Sequence, residues 1–532
     1  MLAPDAKSEQ TLGKVLADRA ARLGDKPFIV TDHASHSYAE IDAWSNRLAN
    51  GLAALGIAPG ETVLVMLTNT VEFVALWCGL GKLGAIEVPV NTAYRGDIFA
   101  HVINNSGATT MVVEARFLER LAEVAPRLET LERLIVTGES KIESLGKRFE
   151  IAGWDVMEVD NETPIADGPR HLDLKAVMYT AGTTGLSKGV MITHSHAYNY
   201  AACGPDLLEL GADDIYYAPL PLFHIAGQWA VVYAAMIAGA SAVLTDRFSI
   251  EAFWDDVRRH GATATFLLGA MANFLYRQEP RGADADNPLK KALIVPLFPE
   301  IEDFKRRFDC QVTTTYGSTE VGVPVTASFD LPNARVCGRV KDELFEVRLV
   351  DEDDEEVPVG TVGELVVRPR EPWLVMAGYW RDPEQTEVAW RNLWLHSGDT
   401  MYRDEDGWLY FSDRLADCIR RRGENISSLE VENQLYAHDA VFECAVFGVP
   451  SEHTEEDVMA TLVLKPGAGL EPADLIAFLK PRMPSFMVPR YVNIIDALSK
   501  TPTGKIQKTD LRAQGVTPTT WDREAGKTRR SS

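Results

Sequence analysis

Between the apolar runs KAVMY and VMIT lies Tyr179-Thr-Ala-Gly-Thr-Thr-Gly-Leu-Ser-Lys-Gly189, a stretch of small residues, hydroxyls and one lysine. Those residue types in that order suit phosphate oxygens. Gly182, Gly185 and Gly189 let a backbone turn its amides inward, Thr180, Thr183 and Thr184 offer hydroxyl donors, and Lys188 supplies a positive charge. A plain surface loop is the alternative, because Gly, Ser and Thr are common there too.

Three patterns in the chain point elsewhere and fail on context. Gly79-Leu-Gly81-Lys-Leu-Gly84 fits the GxGxxG dinucleotide fingerprint, but that fingerprint follows a strand and opens a helix, whereas these glycines end a helical run. They read as close helix packing or a C-cap. Gly185-Leu-Ser187-Lys-Gly189 fits the GxSxG elbow of hydrolases, which needs a helix on its right, where VMIT is strand-like. Counted as a Walker A loop from Gly182, the segment has Ser187 in place of the second glycine and Gly189 in place of the metal-binding hydroxyl.

The segment resembles the YTSGTTGxPKG signature of the adenylate-forming superfamily, which contains AMP-forming acyl-CoA synthetases, peptide-synthetase adenylation domains and firefly-type luciferases. Further signatures follow in family order: Pro219-Leu-Pro-Leu-Phe-His224-Ile-Ala-Gly227, Thr315-Tyr-Gly-Ser-Thr-Glu320, His396-Ser-Gly-Asp399, Asp406-Gly-Trp-Leu-Tyr-Phe-Ser-Asp-Arg414, Arg422-Gly-Glu-Asn-Ile-Ser-Ser-Leu-Glu-Val-Glu432 and Pro502-Thr-Gly-Lys505. The tail RRRGENISSLEVE is most similar to ligases of the carnitine, medium-chain and fatty or cyclic acid groups. The resemblance implies an acid–thiol ligase that joins a carboxylic acid to ATP as acyl-AMP, then passes the acyl group to coenzyme A. It implies ATP, magnesium and coenzyme A as cofactors and a place in fatty acid metabolism, and leaves a homodimer open.

Site roles follow from the resemblance residue by residue. Thr180, Ala181, Gly182, Thr183, Thr184, Gly185 and Lys188 would surround the phosphates, with Thr184 and Glu320 on magnesium, a cation that prefers oxygen ligands. Tyr316 would pack on adenine beside Gly317, Ser318 and Thr319, and Asp399 would accept the ribose hydroxyls with Arg414 as companion. Lys505 would bridge the acid and the α-phosphate in the first half-reaction, and Arg422, Gly423 and Glu424 would face the site in the second. His224 would gate the thiol's approach beside an acyl pocket of Ile225, Gly227, Trp229, Leu268 and Val321. A satisfied core histidine is the alternative for His224, and plain core the alternative for Tyr316 and the apolar set.

The chain departs from the pattern at three places. The DRxKD hinge reads Asp413-Arg-Leu-Ala416-Asp417; Ala181 and Leu186-Ser187 replace Ser and x-Pro in the phosphate loop; and Ile294-Val-Pro-Leu-Phe-Pro299 stands where relatives have a GGAPL-like glycine pair. The last change means a different pocket wall. His224 also stands where peptide-synthetase domains would place an aspartate near PLF. A carrier protein or an oxidation as the second step, and a catalytically silent nucleotide-binding relative, are the other readings.

Positioning such a loop calls for parallel strands with helices between them. Thr62–Leu67, Thr109–Glu114 and Arg133–Gly138 alternate with helical stretches such as Val71–Leu83, and the rhythm returns in KAVMY, SAVLTD, ATATFLL and ALIVPLF. From about Arg335 strand-like segments around charged turns predict a small β subdomain. The expected class is α/β: a large N-terminal domain over 1–413, a hinge at 414–416, a small mobile α+β domain over 417–515 and a polar tail over 516–532, loosely ordered after Leu511.

At 532 residues and 46% hydrophobic content the chain can bury a large core. Its 77 acidic against 53 basic residues give a formal charge of -24, which disfavours nucleic acid as a partner. The six cysteines form no CxxC pair, and the first twenty residues carry charges throughout, so a cytoplasmic protein is expected. Ile225 to Leu244 carries no charge over a span that could cross a bilayer, but reads better as a buried helix followed by a buried strand.

Overall fold

The computed structural model describes residues 6–139, 145–180, 187–414, 419–421, 424–451, 456–483, 485–500 and 506–525. The chain divides into two compact units: Met1–Val347 with Val367–Ser397 and Asp406–Leu409, and Arg348–Val366 with Gly398–Glu405 and Tyr410–Ser532. The architecture is the expected mixed α/β, with a large N-terminal and a small C-terminal part.

In the first unit an eight-stranded sheet runs Gly378–Tyr379, Lys188–Thr193, Leu174–Thr180, Ile86–Pro89, Thr62–Met66, Thr110–Glu114, Arg133–Thr137, Glu150–Gly153. From Leu174–Thr180 to Glu150–Gly153 every pairing is parallel. The chain then reverses, because Lys188–Thr193 pairs antiparallel with Leu174–Thr180 and places Thr180 opposite Lys188. Ile86–Pro89 and Thr110–Glu114 are buried at every position, as strands covered on both faces must be. Phe99, Val102, Ile103, Leu121 and Leu134 fill one side of this sheet.

A seven-stranded sheet runs Gln311–Thr313, Lys291–Val295, Ala264–Leu268, Ile215–Ala218, Ser241–Leu244, Pro27–Val30, Ser35–Ser37. All its pairings are parallel except the closing hairpin. The chain passes from Ile215–Ala218 to Ser241–Leu244 on one side, then crosses to Ala264–Leu268 on the other. The crevice at such a switch point, beyond the carboxyl ends of the strands, is where open α/β sheets bind ligands.

The uncharged span from Ile225 contains a helical turn, a π-helix over Gln228–Tyr233, the helix Ala234–Ala238 and the strand Ser241–Leu244. Among the described residues no helix is long and apolar enough to cross a membrane. The glycines Gly79 and Gly81 lie within the helix Val71–Leu83, and Gly84 is its left-handed C-cap.

In the second unit Val441–Pro450, Glu456–Leu464, Tyr491–Ile494 and Trp521–Asp522 form one sheet. The helices Ser428–Tyr436 and Pro472–Leu479 supply Val431, Leu435, Leu475 and Ile476 to its core. The stretch after Leu511, expected to be loosely ordered, is structured through residue 525: the helix continues to Gln514 and Trp521–Asp522 adds an edge strand. Its anchor is Arg490, which bridges Asp457 at 2.8 Å and Asp522 at 3.2 Å and raises no unpaired charge. That ion pair crosses a gap that hydrophobic periodicity does not register.

Candidate active site

The phosphate-loop segment leaves the carboxyl end of Leu174–Thr180 and returns at Lys188, so both flanks sit where the parallel half of the sheet meets its antiparallel edge. Residues 181–186, including Ala181, Gly182, Thr183, Thr184 and Gly185, lie outside the described residues. The flanks are fixed. Thr180 donates from Oγ1 to Oε1 of Glu320 at 3.3 Å, and Lys188 Nζ donates to Oε1 of Gln385 at 2.7 Å.

Glu320 closes the turn after the strand Thr315–Ser318, which pairs antiparallel with Gly322–Thr326. The turn is tight enough to require glycine at Gly317, where an added Cβ would lie 2.4 Å from the Gly322 carbonyl oxygen. Ser318 Oγ donates to Oε2 of Glu320 at 3.0 Å, and it accepts from the Glu320 and Val321 amides at 3.2 Å each. Tyr316 and Thr319 are buried, and Val321 is fully so.

Tyr379 joins the two halves of this arrangement. Its hydroxyl is hydrogen-bonded to Glu320, and its ring lies 5.0 Å beneath Lys188 Nζ. Burial and the adjacent carboxylate push the phenol's pKa well up, so the hydroxyl stays protonated and donates. Thr180, Lys188, Ser318 and Glu320, expected together from sequence, are thus brought together through Tyr379 and Gln385, which were not expected. Their segment, Gly378-Tyr-Trp-Arg-Asp-Pro-Glu-Gln385, shows only a helix start: Asp382 caps the Gln385 amide, with Pro383 at the first turn.

His224 follows the carboxyl end of Ile215–Ala218, at the sheet's switch point. Asn69 fixes the turn before it, donating to the Leu220 and Thr245 carbonyls at 2.9 Å each and accepting from the Leu222 amide at 2.8 Å. Gly227 admits this turn, since a Cβ there would lie 2.4 Å from the Pro221 oxygen. His224 Nδ1 accepts from the Ala226 amide at 3.1 Å, which leaves Nε2 carrying the proton. Solvent reaches the imidazole, yet surrounding protein lowers its pKa to about 4. Both hold for a neutral ring that protein surrounds on most sides and solvent reaches on one. Ile225, Gly227 and Trp229 are buried beside it, and Leu268, ending Ala264–Leu268, is half-buried. Phe298, in the segment that replaces the glycine pair, joins the core under the seven-stranded sheet.

In the second unit Asp399 is half-buried on Leu395–Arg403. Asp413 accepts from the Ser428 amide and caps the helix Ser428–Tyr436. Arg414 ends the strand Leu409–Arg414 and Glu424 opens Glu424–Ile426, but the side chains of both lie outside the described residues, as do Ala416, Arg422, Gly423 and Lys505 entirely.

A magnesium site built on Glu320 is chemically consistent with this surrounding. Among the described residues no three carboxylate, imidazole or thiol groups cluster as a metal cage. Magnesium commonly takes one or two carboxylates and completes its shell with substrate phosphates and water.

The sequence pattern described as "AMP-binding enzyme" matches residues 16–380, and that of the "AMP-binding enzyme C-terminal domain" matches residues 430–505. A crotonobetaine/carnitine–CoA ligase of Salmonella agona strain SL483 is 32% identical over 524 residues, covering 96% of this chain and all of that protein. The anthranilate CoA ligase AuaEII, solved with anthranoyl-AMP, shares the fold at a TM-score of 0.85 and 24% identity, over 95% of this chain and 97% of that one. ATP-bound MatB from Rhodopseudomonas palustris superposes at 0.83 with 25% identity, over 95% and 99%. With these patterns spanning most of its length and a relative 32% identical over 96% of it, the chain belongs to the AMP-binding enzyme family.

Proposed function

We propose that this chain is an ATP-dependent carboxylic acid–CoA ligase. The observation that carries the reading is the meeting of Thr180, Lys188 and Glu320 through one tyrosine at the ends of the two strands flanking the phosphate loop, with a neutral His224 in the same unit. In the first half-reaction a carboxylate oxygen attacks the α-phosphorus of ATP, the bond to the β-phosphate oxygen breaks and pyrophosphate leaves. Two anions must be joined, so charge has to be cancelled while the atoms are aligned. Lys188 supplies one cation once it leaves Gln385, and Glu320 supplies an oriented carboxylate for magnesium, which when bound neutralises phosphate charge.

In the second half-reaction the thiol of coenzyme A attacks the acyl carbon and AMP leaves. Thr184 on the metal, Tyr316 against adenine, Asp399 and Arg414 on ribose, and Lys505 on the α-phosphate complete the assignment by resemblance. The small domain would turn about 414–416 between half-reactions, bringing Arg422, Gly423 and Glu424 to the site in place of Lys505. A cytoplasmic role in fatty acid metabolism fits this chemistry.

The test is carboxylate-dependent pyrophosphate release over aliphatic, aromatic and polycyclic acids with and without magnesium, followed by thioester formation. Nucleotide binding with no pyrophosphate release across the panel would favour a silent relative. Acyl-AMP formation without transfer to coenzyme A would favour another acceptor.

A further inference from the structure

Four polar aromatic side chains of the first unit lie close together, and only one of them, Trp229, was assigned to the acyl pocket from sequence. His196, on the helix His194–Leu208, is fully buried, and neither of its ring nitrogens has a partner among the described residues. The Trp229 Nε1 and the Tyr216 hydroxyl are buried and unpartnered in the same way. Tyr200 lies one turn beyond His196 on the same helix. Its ring is half-buried and it makes no hydrogen bond among the described residues.

Three pairwise approaches link the four. Trp229 meets Tyr200 edge to face at 5.9 Å between centroids and His196 at 6.4 Å, and the Tyr200 phenol is close enough to bear electrostatically on Tyr216. A Cβ built on Gly322 would lie 3.6 Å from His196 Nε2, which sets the cluster two residues from Glu320. Tyr216 lies on the strand that leads to His224. The cluster therefore lies between the nucleotide-side hairpin and the His224 turn.

Buried donors and acceptors almost always find partners, because leaving them unpaired forfeits their hydration. Three such side chains close together, with the half-buried Tyr200 phenol beside them, call for a partner that is not part of the chain. Its charge can also be read. His196 is held neutral by burial, and the electrostatic neighbours of the two tyrosines are one another and Cys203. Among the described residues no Asp, Glu, Lys or Arg side chain is hydrogen-bonded or ion-paired to any of the four, so a charged group placed there would be desolvated without a counter-ion in contact.

We propose that His196, Tyr200, Tyr216 and Trp229 form the distal part of the acyl pocket and select carboxylic acids carrying an uncharged hydrogen-bonding group, a hydroxyl or a ketone, remote from the carboxylate. The inference rests on the ligase reading and deepens it. A site built to bond a substrate hydroxyl discriminates strongly against the analogue that lacks one, since its own polar groups are then stranded.

The test uses the full chain and matched six- and ten-carbon acids: unsubstituted, with a hydroxyl or ketone on successive carbons, with a terminal carboxylate, and with a terminal trimethylammonium. Pyrophosphate release gives kcat/KM, and calorimetry on the corresponding acyl-sulfamoyl adenosines gives Kd without turnover. For one substituent position the hydroxy or oxo acid should exceed its unsubstituted parent about 100-fold, with both charged acids below the parent. Tyr200→Phe should lower that ratio about tenfold, with circular dichroism and Tm confirming its fold; it carries the test if Trp229→Phe does not fold.

The proposal is overturned if an unsubstituted or a charged acid is preferred, or if Tyr200→Phe scales every acid alike, the result expected if water alone satisfies these groups. If no acid releases pyrophosphate while the hydroxylated adenosine still binds more tightly, the ligase reading falls and the pocket assignment stands. If pyrophosphate is released with preference for the plain chain, the reverse holds.

Discussion

Three hydroxyls from three separate segments, those of Thr180, Ser318 and Tyr379, fix the Glu320 carboxylate. Among the described residues Glu320 makes no ion pair, so it is oriented without a cationic partner, as a carboxylate that is to take the proposed magnesium would be. Tyr379 matters most of the three, because it also lies under Lys188. Tyr379→Phe keeps the ring and removes only the donor. A hydrogen bond to a charged group contributes about 1.5–3 kcal/mol, and about 1.4 kcal/mol is tenfold in rate. Pyrophosphate release should therefore slow by roughly tenfold to 100-fold, with a higher magnesium concentration needed for half-maximal rate. An unchanged magnesium dependence would remove the phenol from this role. The raised pKa of Tyr379 keeps it protonated throughout neutral pH, so it adds no titration to the profile there. That Thr180, Lys188, Ser318 and Glu320 come together was legible in sequence because each lies in a contiguous run with a chemical meaning. Tyr379 and Gln385 were not, because their partners are reached only through folding, Gln385 being 197 residues from Lys188.

At the scale of elements, the strands were legible from short apolar runs, as was the buried strand that follows a buried helix after His224, since burial on both faces leaves that mark. What fastens the elements was hidden. Lys175 on Leu174–Thr180 pairs with Glu87 on Ile86–Pro89 at 3.1 Å, and Gln228, opening the π-helix, donates to the other Glu87 oxygen at 2.7 Å. The two charged side chains are 1% and 0% exposed, so the pair is wholly desolvated. Single charged residues inside apolar runs give no hint that they face each other. Lys175→Met strands the carboxylate and should cost about 3–5 kcal/mol in denaturant unfolding, whereas adding Glu87→Met should recover much of that. Equal losses in the single and double variants would mean that the apolar packing, not the charge, holds the strands. Because Gln228 precedes Trp229, the same single variant should also raise the KM for the acid.

For the molecule as a whole, two properties concern balances that no single site sets. The first is acid stability. His194 and His196 are fully buried with pKa values lowered to about 3, by burial first and, for His194, by Lys175. Unfolded, each takes up a proton near pH 6.5. Between about pH 6.5 and 3 the unfolded chain thus binds more protons, and stability falls as pH falls, by about 1.4 kcal/mol per pH unit for each ring. In guanidinium unfolding at pH 6, 5 and 4, His196→Phe should flatten that slope by about 1.4 kcal/mol per unit; an unchanged slope would mean that His196 titrates normally. The second is the order of the half-reactions, which the resemblance assigns to alternation of the small domain about a hinge that carries Ala416 in place of the common polar residue. A chain of formal charge -24 gains nothing from its overall field when it binds ATP, so the cations that help must be local, and by resemblance Lys505 would be the one to arrive by that movement. If it bridges the acid and the α-phosphate only during the first step, Lys505→Ala abolishes carboxylate-dependent pyrophosphate release. Supplied acyl-AMP should still be converted to thioester at a rate within about threefold of the parent, because that step uses no lysine at the α-phosphate. Loss of both steps would make Lys505 a structural residue of its domain, and retention of the first would return the adenylation charge to Lys188 and the metal alone.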